Sequence, residues 1–292
     1  MQLNQLGYFV ALAETLHFTH AAERAGVAQP TLSQQIRVLE DELGAHLVTR
    51  RPRNIELTAA GEELLPIARR ILAEADNARR ALVELADLQR GRVRLGATPS
   101  LCTSLLPEVV ADYRRAHPGV AIVITEGGSH DLQRQLVAGE LDLAVLIDPR
   151  TGTHEGLSTT PLFVEELVLI SALDAVPPTR RSRIAIAGLR TAQLVMFRDG
   201  YDLRETTIAA CRDAGFEPTL AVEGGEMDAV LSFVAAGVGV AIVPETVAGN
   251  RFRVTRLQSP GLTRTVQLTR RAGVDLPRAA AELESRLLRL AG

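Results

Sequence analysis

The stretch from Phe18 to Gly44 reads FTHAAERAGVAQPTLSQQIRVLEDELG. Its first part predicts a short helix from Thr19 to Ala25, because the glycine that follows commonly ends a helix in the left-handed conformation. A second helix is predicted from about Pro30 to Leu43, where apolar residues recur at helical spacing on one face. These residues are Leu32, Ile36, Leu39 and Leu43. Two helices at this separation predict a helix-turn-helix.

The flanking segments extend this motif to a winged helix over residues 1–58. Upstream, a first helix is predicted from the one-sided spacing of Leu3, Leu6, Phe9, Val10 and Ala13. Downstream, residues 47–49 and 55–57 are short strand-like runs on either side of the turn sequence RRPRN. Three helices followed by a hairpin are typical of a winged helix.

One long helix is predicted over residues 58–89, with Thr58 as its N-cap. The inner residues follow a strict heptad and are Leu64, Ala68, Ile71, Ala75, Ala78, Leu82 and Leu85. We expect residues 59–90 to be a linker helix that dimerises with the same helix of a second copy. The alternative is that it packs on its own domain. Pro66 is expected to bend the helix or to delay its start.

Strand-like and helical segments then alternate over residues 91–292. This pattern predicts two α/β lobes with mostly parallel sheets. The first lobe is expected at about 91–160 and 268–292, and the second at about 161–267.

The composition sets limits on function. The chain has 292 residues, a formal net charge of −3 and two cysteines, which indicates about two domains but no disulfide framework. No apolar run is long enough for a membrane span and the start does not resemble a secretory signal, so a cytoplasmic protein is expected. No catalytic, metal-binding or phosphate-binding motif is recognised, so neither an enzyme nor a cofactor is expected.

Four motifs resemble the LysR-type transcriptional regulators. They are residues 18–44, LTAAGE at 57–62, GELDLA at 139–144 and AAGVGVAIVP at 235–244. The resemblance covers essentially the whole chain and implies an α/β protein with an N-terminal winged helix-turn-helix, a long linker helix and a two-lobed, periplasmic-binding-protein-like α/β sensor. The family often has an aromatic residue where Val48 stands, and many members carry Arg where Gln34 stands.

Such a protein reads double-stranded DNA with the start of its second motif helix, which lies in the major groove. The base-reading and backbone-binding residues are expected to be Gln29, Pro30, Thr31, Ser33, Gln34 and Arg37 on this helix, with Arg50, Arg51 and Arg53 on the wing. Glutamine suits adenine because it offers one donor and one acceptor. The alternative is that both groups are ordinary solvated surface.

A small-molecule effector is expected in the cleft between the lobes, beyond the carboxyl ends of the strands. The predicted effector-binding residues are Thr98, Ser100, Leu101, Ser129 and His130 in the first lobe, and Phe197, Arg198, Tyr201 and Glu226 in the second. Hydroxyls at helix starts favour an anion, and the resemblance implies a small, often carboxylated metabolite. The serines have simple N-capping as their alternative role.

The resemblance implies a homodimer or a dimer of dimers that contacts RNA polymerase when it activates transcription. Effector binding would alter the spacing of the DNA-binding heads through the linker helices. The sequence leaves three rival functions open: an enzyme on the same fold, a transporter's solute-binding protein, and a redox sensor using Cys102 and Cys211.

Overall fold

A computed structural model describes residues 1–51, 54–86, 91–148, 155–176 and 181–291. The chain forms two compact units, Met1–Leu88 with Gln135–Glu140, and Gln89–Arg134 with Leu141–Gly292. We call the first the head unit and the second the sensor unit. Among the helices in these ranges, none combines the length and apolar character that a membrane crossing needs.

The head unit is a winged helix. Helices α1 (Leu3–Thr15), α2 (Phe18–Ala25) and α3 (Gln29–Leu43) precede a hairpin of β1 (Val48–Arg51) and β2 (Asn54–Leu57). Gly26 and Gly44 follow α2 and α3 with φ of 67° and 66°, a conformation that favours glycine. Buried side chains from the three helices form one core that includes Leu6, Phe9, Leu12, Leu32, Ile36 and Leu39. The predicted helices and hairpin are confirmed.

The linker helix α4 (Ala59–Ala86) follows the hairpin directly. Its start is capped by Thr58, whose hydroxyl accepts a hydrogen bond from the Gly61 backbone N–H at 3.1 Å. The Glu14 carboxylate of α1 forms salt bridges with Arg69 of the linker at 2.8 Å and with Arg24 of α2 at 2.6 Å. The contact with Arg69 holds the first half of the linker on the head. The helix continues through Pro66, so the delayed start that we considered is wrong.

The predicted heptad seam divides into two parts. Ala68 is completely buried in the head core, and Leu64 and Ile71 pack against that core, so these three residues belong to their own domain. Further along, Ala78 and Leu82 are exposed, Leu82 to 68%. The side chain of Leu85 lies outside the described residues. Among the described residues of the seam, Ala78 and Leu82 therefore offer the most surface to a partner.

The first lobe of the sensor unit alternates strands and helices. In chain order these are β3 (Gly91–Ala97), α5 (Pro99–Ser104), α6 (Leu106–Ala116), β4 (Val120–Glu126), α7 (Ser129–Ala138) and β5 (Leu143–Ile147). Strand β3 lies between β4 and β5 and is parallel to both. Helices α5 and α6 are separate, because Pro107 lies in the first turn of α6 and cannot donate in a helix interior.

The second lobe follows after a long strand, β6 (Leu157–Ser171). Its elements are β7 (Arg183–Ile184), a 3-10 turn, β8 (Gln193–Phe197), α8 (Asp202–Asp213), β9 (Thr219–Gly225), α9 (Met227–Ala235), β10 (Ala241–Pro244), α10 (Glu245–Ala248) and β11 (Arg253–Leu257). The chain then returns through β12 (Thr263–Arg271) to the C-terminal helix α11 (Arg278–Leu288), which packs on the first lobe.

Two antiparallel strands cross between the lobes. The first part of β6 pairs with β12, and β12 also pairs with β5 of the first lobe. From Leu167 onward β6 pairs with β10 and β11 of the second lobe. The expectation of mostly parallel sheets is therefore wrong for this part of the unit, because a chain that leaves one lobe and returns must run in opposite directions. Each lobe keeps its own core on either side of the crossing.

Candidate DNA-binding face and ligand cavity

Helix α3 presents a polar face to solvent. Leu32, Ile36 and Leu39 are buried on its inner side. The outer side carries Gln29, Pro30, Thr31, Gln34 and Arg37, all exposed, together with the half-buried Ser33. No side chain caps the start of α3, whose cap residue is an alanine. The hydroxyls of Thr31 and Ser33 are therefore not used as caps. The first two turns of α3 offer hydrogen-bond donors and acceptors on side chains of different lengths.

A buried carboxylate, which the sequence alone did not single out, ties α3 to the wing. Glu40 is 6% exposed, and it accepts hydrogen bonds from the backbone N–H groups of Leu47 at 2.7 Å and Val48 at 3.3 Å. These two groups begin the wing hairpin. The geometry fixes where the wing leaves the helix, and with it the separation of the two DNA-binding elements.

The predicted wing arginines are described only in part. The backbones of Arg50 and Arg51 lie in β1, opposite Ile55 and Asn54 of β2. Their side chains, and the whole of Arg53, lie outside the described residues.

A cavity of about 290 Å³ lies between the two lobes of the sensor unit. Three structural elements supply most of its wall: the end of β5, the first turns of α8 and the start of β12. The lining residues are His130, Ile147, Asp148, Asp202, Glu205, Thr206, Leu262, Thr263, Arg264 and Thr265. Among the residues that the structure describes, no three His, Cys, Asp or Glu side chains gather as a metal site.

A hydrogen bond joins the lobes at this cavity. The Ser129 hydroxyl, at the start of α7, donates to the Asp202 carboxylate at the start of α8 at 2.8 Å, and it accepts from the Ile147 backbone N–H at 3.3 Å. Burial raises the pKa of Asp202 above its ordinary value, while the Ser129 hydrogen bond and the charge of Arg264 oppose that rise. The carboxylate is therefore partly desolvated and held by a donor from the facing lobe.

A buried ion pair lies on the crossing strands beside the cavity. Arg264 of β12 and Glu165 of β6 approach to 2.6 Å, and both side chains are 6% exposed. The guanidinium also donates to the Ser100 hydroxyl of α5 at 2.7 Å, and the second Glu165 oxygen accepts from Thr246 of α10 at 3.0 Å. The pair thus connects the first lobe, both crossing strands and the second lobe.

Comparison with known proteins identifies the family. Residues 3–62 match the bacterial regulatory helix-turn-helix protein, lysR family, and residues 86–291 match the LysR substrate binding domain. The chain belongs to the LysR family. The GltC transcriptional dual regulator of Bacillus subtilis strain 168 is 33% identical over 284 residues, which cover 96% of this chain and 94% of that protein. A hydrogen peroxide-inducible genes activator of Dickeya chrysanthemi is 34% identical over 281 residues, 94% of this chain and 91% of that protein.

Solved structures of full-length LysR-family regulators share the fold. An OxyR variant from Pseudomonas aeruginosa has a TM-score of 0.73 and 30% identity, and the match covers 99% of this chain and 98% of that one. CbnR in complex with its target DNA has a TM-score of 0.71 and 26% identity, covering 99% and 100%. This LysR-family chain is a DNA-binding transcriptional regulator with an effector-binding domain, and it is not an enzyme.

The residues predicted for effector binding are placed in different surroundings. In this LysR-family sensor, His130 lines the cavity, while Ser129 and Ser100 reach it through Asp202 and Arg264. Thr98 and Tyr201 are buried at 2% and 3% exposure, and their hydroxyls have no hydrogen-bond partner among the described residues.

Four of the predicted residues make contacts within their own lobe. Leu101 is a core residue of the first lobe, because α5 turns it inward. Phe197 stacks on Tyr201 at 4.6 Å in the core of the second lobe instead of forming a cavity wall. Arg198 pairs with Glu226 of the same lobe, so its positive charge already has a carboxylate partner.

Several cavity residues were missed. Asp148 follows the carboxyl end of β5. Ligands in α/β sheets bind beyond the carboxyl ends of the strands, so the sequence contained a signal for this residue. Glu205 lies one helical turn from the start of α8. Arg264 had a weaker signal, a charged residue in a strand that is otherwise mostly apolar or hydroxylated, and its partner Glu165 is distant in sequence.

The two cysteines do not have the properties of redox sensors. Burial and the nearby Glu126 carboxylate raise the pKa of Cys102 to about 12. Burial, aided by Glu217, raises the pKa of Cys211 to about 11, and this thiol is fully buried. Because the thiolate is the reactive form, both groups are largely unreactive at neutral pH. The raised pKa values of both thiols therefore disfavour the redox alternative.

Proposed function

We propose that this regulator reads base edges with Gln29 to Gln34 of α3, and that a small effector bound in the interlobe cavity modulates its promoter binding. The observation that carries the first part is the polar, uncapped, exposed start of α3 above a fully buried inner face. The observation that carries the second is a cavity whose walls come from both lobes and from a crossing strand.

The DNA-binding part is tested by comparing two side chains on one helix. Gln34→Ala should cost about 1–3 kcal/mol on the native site and reduce discrimination at one base pair, because a base contact is lost. Arg37→Ala should weaken binding to all sequences and reduce the salt slope by about one charge, because a phosphate contact is lost. Fluorescence anisotropy with the region upstream of the protein's own gene measures both. Equal effects of the two variants on matched and scrambled DNA would contradict the assignment.

The effector part is tested by linkage between the cavity and DNA. A ligand that binds the cavity should change the DNA affinity by some factor. DNA should then change the ligand affinity by the same factor. Ligand binding without any change in DNA affinity would contradict it.

Self-association is proposed through the second half of the linker helix. A groove of about 400 Å³ in the head unit is lined by residues of α1, α2 and α4, among them Leu3, Val10, Leu72 and Ala75. Leu82 is 68% exposed, and an apolar side chain of this size suits such a groove on a second copy. Leu82→Glu should shift the protein to a smaller species in light scattering, whereas an unchanged mass would contradict the proposal.

The larger assembly and further partners are proposals that the family membership supports. We propose a dimer of dimers on DNA, contact with RNA polymerase when the protein activates, and a cytoplasmic location because promoter DNA lies there. The structure of CbnR with its target DNA supports the DNA partner.

A further inference from the structure

The groups at the cavity that suit a carboxylate already bind other groups of the protein. The Ser129 hydroxyl donates to Asp202, and the Arg264 guanidinium binds Glu165 and donates to Ser100. A carboxylated ligand that took these donors would displace Asp202 or Glu165. The displaced carboxylate would then remain in a partly buried site without its donor, which is costly.

Three of the titratable side chains in the lining are carboxylates, and the others are His130 and Arg264. Asp148, Asp202 and Glu205 face the cavity, whereas Arg264 is matched by Glu165 just behind the wall. Within the described ranges, the Asp148 and Glu205 carboxylates form no ion pair with an arginine or histidine of the chain. These three carboxylates would repel an anion and attract a cation, and solvent screens the attraction least at the half-buried Asp202.

Asp202 is the strongest of these groups as a cation ligand. Burial raises its pKa, which means that the ionised form lacks hydration that a cation would replace. One Asp202 oxygen accepts from Ser129, and a carboxylate has lone pairs for further donors. A ligand ammonium can therefore bind Asp202 without breaking the interlobe hydrogen bond.

We infer that the cavity selects a small organic cation, an ammonium or guanidinium compound, and that the Asp202 carboxylate anchors it and excludes carboxylated ligands. This inference rests on the proposed function, in which the cavity is the effector site. The hydroxyls of Thr206 and Thr263 supply polar contacts, and Ile147 and Leu262 cover a short apolar chain. The volume of about 290 Å³ suits a ligand of this size.

Two probes with the same carbon chain and opposite charges test the inference. Isothermal titration of the full-length protein compares 1,4-diaminobutane with butanedioate. The diamine should bind, and butanedioate should not bind at millimolar concentration. Asp202→Asn should weaken diamine binding by about 10- to 100-fold, the range for losing a hydrogen bond to a charged group.

Two further variants keep the test sharp. Asp213→Asn changes the net charge equally on the same helix but lies on an exposed surface outside the cavity, so it should leave diamine binding unchanged. Glu205→Gln, at an exposed position that is safe for folding, should also weaken diamine binding. A diamine that does not bind, or an equal loss in Asp213→Asn and Asp202→Asn, would overturn the inference.

DNA affinity measured in the same samples distinguishes the cation selectivity of the cavity from its role as the effector site. Butanedioate that binds the native protein and changes its DNA affinity would overturn the cation inference and leave the proposed function intact. Diamine that binds through Asp202 but leaves DNA affinity unchanged would retain the inference and overturn the proposed effector role of the cavity.

Discussion

The buried pair between Glu165 and Arg264 gives a quantitative prediction. Glu165→Ala removes a carboxylate that holds Arg264 at 2.6 Å and Thr246 at 3.0 Å. The guanidinium is 6% exposed, so water cannot easily replace the lost partner. The hydrogen bond that remains, to the Ser100 hydroxyl, is neutral, and the nearby Asp202 carboxylate acts on Arg264 through its charge.

The expected cost is large because a buried charge loses its direct ion-pair partner. Breaking a buried ion pair by removing one partner costs about 3–5 kcal/mol. For a unit of about 200 residues, 1 kcal/mol lowers the melting temperature by about 2–4 °C, so we expect a loss of about 6–20 °C. Replacing both residues by apolar ones of similar volume is often neutral or stabilising by about 1–4 kcal/mol. The double variant Glu165→Leu, Arg264→Met should therefore be more stable than Glu165→Ala.

Thermal unfolding of the full chain, followed by far-UV circular dichroism, measures these differences. The matched control is Glu166→Ala, the adjacent and exposed carboxylate on β6, which should change stability by less than about 0.5 kcal/mol. A Glu165→Ala variant that melts within about 2 °C of the native protein, the shift for about 1 kcal/mol, would show that the ion pair does not stabilise the unit as expected. A double variant less stable than the single one would show that the pair stabilises the unit beyond its own desolvation.

Three further predictions concern other parts of the chain. Replacing both Cys102 and Cys211 by Ser should leave DNA binding before and after mild peroxide treatment the same as in the native protein, because both thiols are protonated at neutral pH; a peroxide response that the double variant loses would restore the redox alternative. The raised pKa of Asp202 means that its ionised form carries a folding cost that is absent below the ordinary aspartate pKa and complete above the raised one. The melting temperature of Asp202→Asn relative to the native protein should therefore increase as the pH rises through this interval, and a constant difference would contradict the burial. Gly61→Ala should destabilise the head unit strongly, because the added Cβ would overlap the Leu47 carbonyl oxygen, and a head that melts normally would contradict this close approach.

The head unit could be predicted from the sequence almost completely. Its helices end at Gly26 and Gly44, and its core is the set of apolar residues that share helix faces, all local signals. The heptad residues do lie on one continuous helix, as predicted. Their spacing alone could not show that Ala68 packs on the head of its own chain. Spacing identifies an apolar face, whereas the partner of that face depends on tertiary geometry.

The cavity was less predictable because its decisive contacts join residues far apart in the sequence. Ser129 was predicted as a helix start open to a ligand, and only the approach of the two lobes brings Asp202 to it. Arg264 and Glu165 meet because β12 and β6 pair antiparallel, with Arg264 opposite Glu165 in the register. The sequence indicates where helices begin. The strand register and the approach of the lobes decide which polar groups at those positions already have hydrogen-bond partners.

The hydrogen bond between Ser129 and Asp202 couples the charge of a bound ligand to the contact between the two lobes. Ser129 belongs to the first lobe and Asp202 to the second, so any ligand that competes for the Asp202 carboxylate acts on a hydrogen bond between the lobes. A cation that binds the free lone pairs strengthens the ionised state of Asp202 and keeps that bond, whereas a ligand that draws the carboxylate away breaks it. Ser129→Ala removes the bond and keeps the charge. If the bond carries the signal, this variant should bind the diamine within a few-fold of the native protein and lose the change in DNA affinity, a coupling of about 1–3 kcal/mol in typical allosteric proteins. Retention of the full change in DNA affinity in Ser129→Ala would show that the signal leaves the cavity by another contact, of which the Arg264 pair is the next to test.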